Sequence, residues 1–124
     1  MDEVKCLDTY ALVEIKLGNP KFKNYLGSNC IILDLILAEF YTVILREESE
    51  EVADFWFKKL ENYSVPVSKE ILIEAVKFRH KHRKQNISFF DAVGYIFSVK
   101  TGCHFVTGDK EFKGLPNVDF KKKD

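Results

Sequence analysis

Four carboxylates occupy places in this chain where a solvated acid gains little. Asp8 directly follows the apolar run VKCL and Asp109 closely follows HFVT, so each marks the end of a strand-like segment. Glu39 is enclosed by Ile36, Leu37, Ala38, Phe40 and Tyr41, and Asp91 by Phe89, Phe90, Ala92 and Val93. Each acid has a local explanation. Asp8 and Asp109 suit N-caps of the turns that follow them. Asp91 stands three residues after Ser88, close to a capping box, and its charge suits a helix N-terminus. Glu39 suits a buried ion pair. Taken together the four admit a sharper reading. Carboxylates about 5 Å apart repel by roughly 3 kcal/mol per pair at an effective dielectric of about 20. A divalent cation removes that repulsion, and an all-oxygen donor set selects hard Mg2+ or Mn2+ over Zn2+.

For the four to meet, strand ends and helix faces must converge. VKCL (4–7) reads as a buried strand, followed by a helix YALVEIKL that Gly18, Asn19 and Pro20 stop. PKFKNYLGSN is a polar connection, CII (30–32) a brief strand, and the stretch from Asp34 to about Arg46 a helix. Leu35, Ala38, Thr42 and Leu45 share one face of that helix, which is apolar nearly all round. The segment 51–63 is a further helix with Val52, Phe55, Trp56 and Leu60 inward. SVPVS is a very short or edge strand, because Pro66 cannot donate to a ladder. Helices follow over 68–84, capped by Ser68, and from Ser88 to about Lys100, closed by Thr101 and Gly102. HFVT is the next strand and NVDF a last one. Strands alternating with helices, without a hairpin signal, predict an α/β fold on a short parallel sheet of four to five strands. In such sheets sites form beyond the carboxyl ends of the strands, where Asp8 and Asp109 fall.

The composition narrows the class. A chain of 124 residues with 46% apolar and 14% aromatic content is one globular domain, expected over 1–120, with 121–124 as a frayed basic tail. The formal net charge of zero means that any nucleic-acid partner must meet a local patch. Cys6, Cys30 and Cys103 form no CxxC and read as reduced residues in or near the core of a cytoplasmic protein. Asp2, Glu3 and Lys5 interrupt any leader, and Asp34 and Glu39 break the longest apolar stretch, so no membrane partner is expected.

Four segments carry a resemblance to a known family: CLDTYAL, LILAEF, SFFDAVGYIFSVKTG and HFVTGDKEF. In this order and spacing they resemble the PIN-domain family of small metal-dependent ribonucleases, which includes the VapC-like toxins of VapBC-type toxin–antitoxin pairs. The resemblance implies a three-layer α/β/α sandwich and an acidic quartet at Asp8, Glu39, Asp91 and Asp109. Thr9 and Thr107 match the family's small hydroxyl positions, and Glu111 stands where many members carry an additional acid. It further implies hydrolysis of RNA phosphodiesters with one or two Mg2+ or Mn2+ ions, a homodimer and a small antitoxin partner. Gly108 departs from the pattern, since many members have arginine there.

Outside the acids, KFRHKHRK (77–84) holds five cations, Lys77, Arg79, Lys81, Arg83 and Lys84. They suit a solvated helix end near the C-terminal dipole or a phosphate-contacting patch for RNA. His80 and His82, two apart on a helix, point to nearly opposite sides and cannot chelate one ion. A phosphoacceptor receiver domain would want paired acids after the first strand, and Asp8 stands alone there. A dehalogenase-type phosphatase needs an acid where Tyr10 stands, and a nucleotide-binding loop needs clustered glycines, whereas these are scattered. The rival from another class is a PIN-like fold kept only for binding RNA or protein.

Overall fold

Strands of near-continuous apolar sequence bury on both faces, as the inner strands do here in a sheet that has five strands among the described residues. They are β1 (Lys5–Leu7), β2 (Cys30–Leu33), β3 (Ser64–Val65), β4 (His104–Thr107) and β5 (Val118–Phe120). All pairings are parallel and the order is β3-β2-β1-β4-β5. The computed structural model describes residues 3–27 and 29–124. Cys6, Leu7, Ile32, Leu33, Phe105 and Val106 form the sheet's share of the core.

Among the described residues, five α-helices flank this sheet: α1 (Thr9–Lys16), α2 (Asp34–Glu47), α3 (Glu50–Leu60), α4 (Lys69–Lys81) and α5 (Phe89–Thr101). Their starts follow from local chemistry. Ser49, Ser68 and Ser88 accept the backbone N–H of Val52, Ile71 and Asp91, each cap contributing about 1 kcal/mol. Gly102 closes α5 at φ 78°, a conformation that costs a side-chain-bearing residue more. Gly94 lets α5 approach β4, since a Cβ there would lie 2.4 Å from the buried Phe105 ring.

The topology puts the switch point between β1 and β4. From β1 the sheet grows through β2 to β3, and the chain then crosses back to add β4 and β5 on the other side. At such a reversal the connections leave the two central strands in opposite directions and open a crevice at their carboxyl ends.

Several sequence expectations need correction. The stripe that α2 buries is Ile36, Leu37, Phe40 and Ile44, while Ala38, Thr42 and Leu45 are exposed. An all-round apolar helix permits either stripe, and α2 leaves β2 without a linker, so the strand sets its phase. On α3, Phe55 is 60% exposed, and Ala53 is buried with Leu60 instead. The polar connection 20–29 delivers two core rings, Phe22 and Tyr25. Helix α4 ends at Lys81, where the His82 ring turns back onto the Phe78 carbonyl at 2.9 Å. The tail 121–124 has no regular structure but is tethered. Lys121 N–H donates to Thr107 O at 2.9 Å and Lys123 N–H to Tyr10 Oη at 2.8 Å.

Candidate metal centre

The β1/β4 crevice holds a pocket of about 510 Å³ whose walls include Asp8, Thr9, Glu39, Asp91 and Asp109. Four different elements deliver the four acids. Asp8 caps α1, its Oδ1 accepting from Ala11 N–H at 2.7 Å. Asp109 follows β4 and caps the short turn Lys110–Phe112, accepting from Glu111 N–H at 3.0 Å. Asp91 lies in the first turn of α5, its N–H bonded to Ser88 Oγ at 3.1 Å. Glu39 comes from mid-α2 and accepts a hydrogen bond from the Thr9 hydroxyl. The capping readings of Asp8 and Asp109 are therefore correct, and they are the means by which the carboxylates are aimed. Glu39 has no ion-pair partner among the described residues; Thr9 holds it instead.

Electrostatics link the four. Asp8 is only 1% exposed, and burial, then the charge of Asp91, push its carboxyl well above the usual range. Bonds from Thr107 and Ala11 offset part of that rise, and Asp109 adds to it. Asp91 is pushed up to about 7, first by burial and then by the charges of Glu39 and Asp109. Among the described residues, no Lys, Arg or His nitrogen stands within 4.0 Å of any of these carboxylates. Nor are any three acid, thiol or imidazole groups drawn in closely enough to hold one ion between them. The acids face one pocket from separate walls, the arrangement that like charges favour. A buried carboxylate with no ion-paired protein cation, sharing its pocket with three further carboxylates, fits a hard divalent ion.

This arrangement predicts an inverted pH dependence. A carboxyl whose folded pKa is raised binds its proton more tightly in the folded state, so its contribution to stability is full below the unfolded value. That contribution falls as pH rises toward the folded value. With Asp91 at about 7 and Asp8 shifted the same way, the metal-free protein should melt higher at pH 5.5 than at pH 8. Calorimetry in EDTA at the two pH values checks the sign. A saturating divalent cation should narrow or reverse the difference, because it favours the charged forms.

The other sequence candidates distribute unevenly. Thr9 lines the pocket, and Thr107 is buried beside it, its hydroxyl accepting from Asp109 N–H at 3.1 Å. Glu111 turns its carboxylate to Gln85 at 2.8 Å, outside the pocket wall. Lys77, Arg79, Lys81, Arg83 and Lys84 are exposed on and after α4 and do not line the pocket. Arg79 Nε instead donates to Ile87 O at 3.0 Å, bracing the loop that leads to α5. Two cations do line it: Lys110 stands next to Asp109 in the sequence, whereas Lys122 is brought there by contacts of its neighbours with distant residues, which no local pattern shows. A larger cavity of about 890 Å³ lies elsewhere, between α2 and α3, and contains none of the four acids.

The PIN-domain profile matches residues 5–118. The chain belongs to the PIN-domain family. No curated protein matches the chain at a significant level. Among solved structures, the fold resembles that of VapC20 from Mycobacterium tuberculosis, a sarcin-ricin loop cleaving toxin. That match has TM-score 0.76 and 18% identity, over 95% of this chain and 99% of the other. VapBC2 from Rickettsia felis, bound to a DNA fragment from their promoter, gives 0.74 and 19%, over 96% and 99%. A toxin–antitoxin complex from Klebsiella pneumoniae gives 0.72 and 18%, over 93% and 95%. Within this PIN fold the departure at Gly108 has a steric cause. A Cβ there would lie 2.4 Å from two atoms of the Tyr10 ring and 2.9 Å from Lys121 O.

Proposed function

We propose that this PIN-domain protein is a Mg2+- or Mn2+-dependent endoribonuclease, the toxin of a toxin–antitoxin pair. The observation that carries the reading is the pocket at the switch point, where four acids converge without a protein cation to pair them. Asp8, Glu39, Asp91 and Asp109 would hold the ion or ions, and Thr9 and Thr107 orient Glu39 and Asp8 by hydrogen bonds. When bound, such a cation lowers the pKa of water and polarises the phosphoryl oxygens for in-line attack. The capped backbones keep the carboxylates in place, so little reorganisation is needed as charge develops. RNA as substrate would place the activity in the cytoplasm, and no helix among the described residues is long and apolar enough to cross a membrane.

A protein partner has somewhere to dock. The groove between α2 and α3 combines Leu37, Ala38 and Phe57 with an acidic rim of Asp34, Asp54 and Glu61. An antitoxin segment presenting apolar and basic residues suits it. Ile73 and Val76, exposed on one face of α4, offer a surface for homodimerisation.

The test combines cleavage with melting. The purified protein should cut RNA with Mn2+ and not in EDTA. At about 100-fold saturation, Mn2+ should stabilise the native state by about 2.7 kcal/mol, raising the melting temperature by roughly 5–15 °C. No shift at millimolar Mn2+ and no cleavage would leave a binding module in its place.

A further inference from the structure

The C-terminal residues KKK follow the last strand and look like a solubilising tail, yet one of them lines the acidic pocket. We propose that Lys122 is the phosphate-positioning residue of this site, which rests on the nuclease reading above. A pocket walled by four carboxylates repels a polyanion, so RNA needs a cation near the acids that is not consumed by pairing with them. Lys122 meets both conditions. It lines the pocket with Asp8, Asp91 and Asp109, and among the described residues it makes no ion pair.

Its backbone is held on both sides. Lys121 N–H donates to Thr107 O at 2.9 Å, extending the β4–β5 ladder one residue past Phe120. Lys123 N–H donates to Tyr10 Oη at 2.8 Å, and Lys123 O accepts from Asn19 Nδ2 at 2.9 Å. In extended chain, successive side chains point to opposite sides. Lys121 accordingly lies over the Tyr25 ring at 5.3 Å and lines a separate cavity, while Lys122, whose ammonium is 5.9 Å from the Phe120 ring, lines the pocket of the acids.

Gly108 completes the arrangement. With no side chain there, the Tyr10 ring packs against its backbone, and the Tyr10 hydroxyl reaches the tail. A cation thus arrives from the segment after β5 as well as from the β4 turn. Lys110 lines the same pocket from that turn and provides a second contact.

The experiment compares Lys122→Ala with Lys123→Ala, which removes an equal charge outside the pocket. Binding of a fluorescent single-stranded RNA is measured in EDTA over a salt series, and cleavage kinetics are measured in Mn2+. Lys122→Ala should weaken RNA binding about three- to ten-fold and lower the log–log salt slope by about 0.7, one phosphate contact. It should raise KM with kcat nearly unchanged, and leave the Mn2+-induced melting shift intact. Lys122→Arg should recover most of the affinity, and Tyr10→Phe, which removes one of the tail's three tethers, should weaken binding in the same direction. Equal effects of Lys122→Ala and Lys123→Ala would overturn the assignment while leaving the nuclease reading standing. A wild-type protein that neither binds nor cuts RNA would overturn both.

Discussion

Asp8→Asn is expected to abolish metal-dependent cleavage and, at the same time, to make the metal-free protein more stable. The two effects have one cause. Asp8 is 1% exposed, and its raised carboxyl shows that the folded protein disfavours its charge. Asparagine caps a helix about as well as aspartate, so the bond from Ala11 N–H survives. What disappears is a buried charge with no cationic partner, worth on the order of 1–3 kcal/mol at neutral pH. The same charge is what a divalent ion would bind. Substituting groups that merely support metal ligands already costs about 10–100-fold, so losing Asp8 should cost at least about 100-fold in kcat/KM. The Mn2+-induced melting shift should shrink with it. Such opposition between stability and activity marks a functional site. If Asp8 were only a cap, the variant would keep wild-type activity and stability, and that result would sink the assignment. Activity that persists in both the variant and EDTA would point to a contaminating nuclease.

Much of this was readable in the linear sequence because the relevant physics is local. Ser49, Ser68, Ser88 and Gly102 mark helix ends through bonds made within a few residues. The absence of a hairpin signal left parallel pairing as the way to join VKCL, CII, HFVT and NVDF, and the sheet pairs strands at these places in parallel. The acids were legible for a related reason. A carboxylate inside an apolar run is an anomaly that local sequence exposes, and the pocket gathers all four. The structure unites the two readings of Asp8, whose cap supplies the aim.

What stayed hidden depends on contacts distant in sequence. Phe55 fits the predicted inward stripe of α3, yet it is 60% exposed, and the buried α3 residues are Ala53 and Leu60. The basic run after Lys77 was the conspicuous cation cluster, but α4 carries it away from the pocket wall. Lys122 looked like part of a frayed end because two of the tethers on its neighbours, Tyr10 and Asn19, are more than 100 residues away, and the third, Thr107, lies on the preceding strand. No local pattern encodes such bonds.

Gly108→Arg, which restores the residue many PIN domains carry at that place, should damage this protein rather than improve it. The new Cβ would meet the Tyr10 ring at 2.4 Å, so the ring must leave. Leaving breaks its packing on the buried Phe22, whose ring centroid is 6.1 Å away, and its bond to Lys123 N–H. Lys121 O, at 2.9 Å, must shift as well, which strains the bond from Lys121 N–H to Thr107. Overpacking of this kind costs about 1–3 kcal/mol, and the lost hydrogen bond adds about 1 kcal/mol. A destabilisation of roughly 2–4 kcal/mol in urea titration is therefore expected. The introduced guanidinium could contact phosphate, but releasing the tail withdraws Lys122, so RNA affinity should not rise. Gly108→Ala separates the effects, since it carries the clash without the charge and should lose comparable stability. A Gly108→Arg protein as stable as wild type and tighter for RNA would show that the Tyr10 contact does not constrain this position, and that the glycine there is incidental.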